Sequence, residues 1–93
     1  DWERVVGPEI AKHSMPVGFL NGTLYVWVQS AVRLQEMTFL VRPLRLKINE
    51  YVGYNWLKYI RFTLDKKSVP QAAGADESLK SFIKGERQGP EIE

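Results

Sequence analysis

Val17-Gly18-Phe19-Leu20-Asn21-Gly22-Thr23-Leu24-Tyr25-Val26-Trp27-Val28-Gln29 is the stretch on which the fold turns. Asn-Gly supplies the two positive-φ positions of a type I′ turn, whose twist matches that of the strands it joins. The spacing therefore predicts an antiparallel hairpin, Val17 to Leu20 against Thr23 to Gln29. In the second strand Leu24, Val26 and Val28 alternate with Tyr25, Trp27 and Gln29, so the first set faces the core and the second the opposite side.

Working outward to the C-terminal side, Ser30 is placed to cap a helix. Leu34, Met37, Val41, Leu44 and Ile48 repeat at three- and four-residue spacing, the stripe of a helix lying on a sheet. Pro43 falls inside this stripe and predicts a kink, because it lacks an N–H and clashes with the preceding turn. Gly53 is suited to ending the helix in a left-handed conformation. Lys58 to Leu64 alternates again, with Ile60, Phe62 and Leu64 on one side and Tyr59, Arg61 and Thr63 on the other, which predicts a third strand.

On the N-terminal side, Trp2, Val6 and Ile10 fall four apart and share a helix face. Gly7-Pro8 interrupts that helix, with a kink or a restart at Pro8, and Ser14-Met15-Pro16 separates it from the first strand. The order helix-strand-strand-helix-strand defines an α+β fold, a three-stranded sheet with helices packed on one face. Residues 1–64 are read as this domain. Residues 65–93, opening with Asp65-Lys66-Lys67-Ser68-Val69-Pro70, are read as a flexible tail with a short amphipathic helix over 76–84 around Leu79, Phe82 and Ile83.

Composition narrows the function classes. Hydrophobic residues at 44% and aromatics at 12% are too abundant for a disordered chain. The 93 residues leave room for one domain. With no cysteine, disulfides and thiolate zinc sites are excluded, and a reducing cytoplasmic setting fits. No apolar run approaches the roughly 20 residues of a membrane span. The chain opens at Asp1 with no secretory signal and reads as a piece of a longer protein. Net charge is +2, yet residues 1–67 hold ten Lys/Arg against six Asp/Glu, while residues 68–93 hold three against five. A basic body with an acidic tail suits contact with a polyanion.

Beyond these patterns, the chain carries Trp2-x3-Val6-Gly7-x2-Ile10-Ala11-x-His13-Ser14-x-Pro16, then Gly22-x-Leu24-x-Val26-x-Val28-x-Ser30. Gln35-Glu36, Asn49, Gly53 and Ile60-Arg61-Phe62 follow. Together, over residues 2 to 63, these resemble the DciA family. The resemblance implies a K-homology-like domain that associates with the bacterial replicative DNA helicase and with DNA, in helicase loading or operation. Two positions depart from the family pattern. Arg33 stands where members often carry Trp, and the Gly-x-x-Gly clamp of true K-homology domains is missing, Gly53-Tyr54-Asn55-Trp56 being the nearest approach.

Candidate site residues follow from faces and charge. Tyr25, Trp27, Tyr59 and Arg61 project from the sheet face away from the main helix and could stack unpaired bases. Alternatively, Leu79, Phe82 and Ile83 fold back over these rings, or two copies pair through them. Lys12, Arg42, Arg45, Lys58, Lys66 and Lys67 complete a phosphate-binding set for single-stranded or duplex DNA. Val32, Phe39 and Leu46, seven apart, form a second apolar stripe, the seat of a helix preceding Asp1 or a surface for a protein partner. His13, the single histidine, excludes multi-histidine metal sites, and neither a nucleophile motif nor a phosphate loop is present; the reading is a non-catalytic module without cofactor. The competing reading is a protein-interaction or self-association module that does not touch nucleic acid.

Overall fold

Asn21 and Gly22 both carry positive φ, 52° and 83°, as a type I′ turn requires. They join β1 (Ser14–Leu20) to β2 (Thr23–Val28) in an antiparallel pair, Leu20 opposite Thr23. In this computed structural model, which describes residues 2–67 together with Leu79 and Phe82, β3 (Tyr59–Thr63) pairs parallel to β2. The sheet order is β1-β2-β3, with β2 central. Leu24, Val26 and Val28 are buried on one side of β2, while Tyr25 and Trp27 stay half-exposed on the other, as the alternation predicts.

The first strand begins three residues earlier than expected. Ser14, Met15 and Pro16 belong to it, and the register shifts between Pro16 and Gly18. Proline is admissible because β1 is an edge strand, where a missing N–H need not interrupt a ladder, and the bulge at Val17 absorbs the irregularity. Leu64 lies beyond β3 and is exposed, so it does not share the core side with Ile60 and Phe62.

The expected single kinked helix is instead two helices, α3 (Ala31–Thr38) and α4 (Val41–Val52), broken at Phe39-Leu40. Pro43 explains the position of the break. Its ring would clash with the carbonyl four residues back, at Phe39, whereas in the first turn of a new helix its missing N–H costs nothing. Ser30 caps α3 by accepting a hydrogen bond from the Arg33 N–H, and Gly53 ends α4 at φ 103°. At the N-terminus Gly7, at φ 93°, separates α1 (Trp2–Val6) from α2 (Pro8–Ala11), so the helix restarts at Pro8.

The described helices pack on the Leu24-Val26-Val28 side of the sheet. Met37, Leu44, Ile48 and Val52 meet that side, with Leu34 and Ile10 packed against them. Each such side chain contributes about 1.5–3 kcal/mol on burial. Ser14, the buried polar residue, donates to the Ile10 carbonyl at 2.7 Å and accepts from the Trp2 indole at 3.1 Å, tying the N-terminal helices to β1. Leu79 and Phe82 are helical and buried in the same core. The Phe82 ring lies edge-on to Trp2 and Tyr51 and tilted against Trp56, which stacks on Phe19 at 4.3 Å. These two residues thus sit beneath the helices rather than over Tyr25 and Trp27. The rest of the expected 76–84 helix lies outside the described residues.

Candidate nucleic-acid interface

The register sets three cross-strand rows on the sheet face away from the helices: Leu20–Thr23–Tyr59, Gly18–Tyr25–Arg61 and Met15–Trp27–Thr63. Tyr25 and Trp27 stand about 7 Å apart along β2, as alternate residues of a strand do, and Tyr59 and Arg61 repeat that spacing on β3. Gly18 has no side chain to cover the Tyr25 row. Tyr59 is 65% exposed and is the most accessible ring of the set.

Two lysines frame this face. At one end the Lys58 N–H donates to the Gly22 carbonyl, and the Lys58 stem runs so close over Gly22 that a Cβ there would meet it at 3.3 Å. At the other end Thr63 and Asp65 build a tight turn. The Asp65 N–H donates to Thr63 Oγ1, and the Lys67 N–H donates to Asp65 Oδ1. That turn carries Lys66 back so that its Nζ lies 4.5 Å from the Trp27 ring centroid, while the Trp27 indole N–H donates to the Leu64 carbonyl at 3.2 Å. Trp27 is therefore oriented from two sides. A cation over an exposed ring contributes only about 0.5–1 kcal/mol, so the ring holds Lys66 weakly.

The structure thus brings together Tyr25, Trp27, Tyr59, Arg61 and Lys66, with Lys58 and Lys67 at the rim. It does not bring Lys12, Arg42 or Arg45 to them. Lys12 caps α2, and Arg42 and Arg45 ride on α4, on the helical side of the sheet. Val32, Phe39 and Leu46 are all exposed, Phe39 at 80%, but the break at Phe39-Leu40 interrupts the helix that would have aligned them as one stripe. Met15, Leu20 and Thr23 were missed; an earlier start to β1 would have placed Met15 beside Trp27.

The Gly53-Tyr54-Asn55-Trp56 segment serves the fold instead. Asn49 Nδ2 donates to the Leu57 carbonyl at 2.9 Å and to Asn55 Oδ1, and the Leu57 N–H donates to Asn49 Oδ1 at 2.7 Å, closing the loop into β3. His13 Nδ1 is 2.8 Å from Gln29 Oε1, extending the β1–β2 pairing sideways. Among the described residues no group of His, Asp and Glu could hold a metal ion, and no helix is long and apolar enough to cross a membrane.

By fold and surface this is a small α+β domain in which, among the described residues, the helices lie on one face of a mixed three-stranded sheet. The family described as "Dna[CI] antecedent, DciA" matches residues 1–62, two thirds of the chain. The chain belongs to the DciA family, a replication accessory family associated with helicase loading. No curated protein and no solved structure matches it.

Proposed function

We propose that this chain is a non-catalytic DNA-replication accessory module that binds the replicative DNA helicase and holds DNA weakly, without sequence preference, on its open sheet face. Membership of the family supports the helicase as partner. The DNA half is carried by one observation, the rows of Tyr25, Trp27, Tyr59 and Arg61 on the sheet face that the described helices leave open, flanked by Lys58 and Lys66. Ring stacking on unpaired bases tolerates any sequence and is worth about 1–3 kcal/mol per base. Because stacking needs a free base face, single strands are favoured over duplex. Lys12, Arg42 and Arg45, on the other side of the sheet, do not share a strand held there.

The test is fluorescence anisotropy with a labelled oligothymidine at about 50 and about 200 mM salt, where each phosphate contact adds to the salt slope. Binding that weakens with salt, and weakens further in Trp27→Ser, is expected. An oligothymidine affinity of zero at the lower salt would withdraw the DNA half. Self-association remains the competing reading, favoured by the exposure of Phe39. It predicts a dimer by sedimentation that Phe39→Ser dissociates and that moderate salt leaves intact.

A further inference from the structure

The charges of the sheet lie along one strand. Residues 14–28, which form β1, the turn and β2, include no Lys, Arg, Asp or Glu. Residues 58–67, which form β3 and its two flanks, include Lys58, Arg61, Lys66 and Lys67 against the single acid Asp65, whose Oδ1 accepts the Lys67 N–H. The rings follow a different course. Tyr59 stands in the first cross-strand row, Tyr25 in the second beside Arg61, and Trp27 in the third beside Thr63, so they pass from β3 onto β2 with one ring in each row. Successive rows are about 7 Å apart, which puts the first and third about 14 Å apart.

These two patterns decide how a single nucleic-acid strand would lie on the face. Laid across the three β-strands, it would carry its phosphates over β1 and β2, which supply no cation, and would meet one ring in a span of about 10 Å. Laid along the sheet, it keeps its phosphates over β3. Its bases then turn toward β2, and the row spacing matches an unstacked chain, whose bases stand roughly twice as far apart as the 3.4 Å of a duplex strand. We propose that the face takes three consecutive unpaired nucleotides running along β3, one base on each of Tyr59, Tyr25 and Trp27, with the phosphates against Lys58, Arg61 and the Lys66-Lys67 turn. Lys66, whose Nζ lies 4.5 Å from the Trp27 ring centroid, bounds this track at one end, and the Lys58 stem over Gly22 bounds it at the other. The inference rests on the proposed holding of DNA on this face and adds the axis and the number of nucleotides.

Oligothymidines of two to about six nucleotides, titrated into the full chain at about 50 mM salt and followed by the amide chemical shifts of β2 and β3, provide the test. Affinity is expected to rise about fivefold or more on adding the third nucleotide and by less than about twofold for each one beyond it. Tyr59→Ala and Trp27→Ser, with thermal melts to check that each folds, are each expected to weaken the trinucleotide about fivefold or more, because one trinucleotide reaches both rings. An affinity that climbs as steeply from three to six nucleotides as from two to three overturns the three-place track and leaves DNA binding on this face standing. So does a trinucleotide that senses only one of the two rings. If an oligothymidine of about 20 nucleotides does not bind at this salt, the track and the DNA reading are overturned together.

Discussion

The two sides of β2 are built from one six-residue strand and answer to different demands. On one side Leu24, Val26 and Val28 are sealed under helices α3 and α4 and hold the fold. On the other Tyr25 and Trp27 are large, half-exposed and covered by none of the described helices. Only side chains on the second side can change without reassembling the core, so the strand concentrates stability on one face and leaves the other free for recognition.

Breaking the buried side should have the largest effect. Val26→Asp places a charge among apolar neighbours with nothing to pair it, and should cost more than about 4 kcal/mol, enough to abolish the cooperative thermal transition followed by circular dichroism. Asn49→Ala strands the Leu57 N–H and carbonyl in the α4–β3 loop, and urea unfolding should show a loss of about 2–3 kcal/mol. On the open side the order of effects inverts. Tyr59→Ala should change stability by less than about 0.5 kcal/mol while lowering oligothymidine affinity about fivefold, which anisotropy and a thermal melt together would check. Were its melting temperature to fall as far as that of Asn49→Ala, the division between the two faces would be lost. Arg61→Ala should reduce the slope of log affinity against log salt by about 1. Smallest of all, Glu36→Gln removes an ion pair between exposed side chains and should move stability by no more than about 0.5 kcal/mol.

Local chemistry was legible and long-range packing was not. Asn21-Gly22 has one low-energy use between two apolar runs, so the hairpin and the facing of β2 could be read directly. The same alternation puts Tyr59 and Arg61 on one sheet face with Tyr25 and Trp27, while their pairing rests on the parallel β2–β3 register. Pro43 announced a disruption, but its clash acts on a carbonyl four residues earlier, which moved the break to Phe39-Leu40 and dissolved the Val32-Phe39-Leu46 stripe. Pro16 concealed three residues of β1 because its cost depends on edge position, a property of the finished sheet. A place for Phe82 over the sheet rings is one of the alternatives the sequence leaves open; the aromatic slot it fills is instead assembled from Trp2, Tyr51 and Trp56, which are scattered through the sequence.

That slot has a consequence for how the chain acquires its structure. The contact between the Trp2 and Phe82 rings joins nearly opposite ends of the chain, and the parallel pairing of β2 with β3 must close over both intervening helices. Contacts so distant in sequence place the search for the native state among the slower ones for a domain of this size. During synthesis the hairpin can form early, but the core cannot be completed until Phe82 has left the ribosome. Until then Trp2, Tyr51 and Trp56 present an open aromatic surface, and a chaperone would find the nascent chain worth holding.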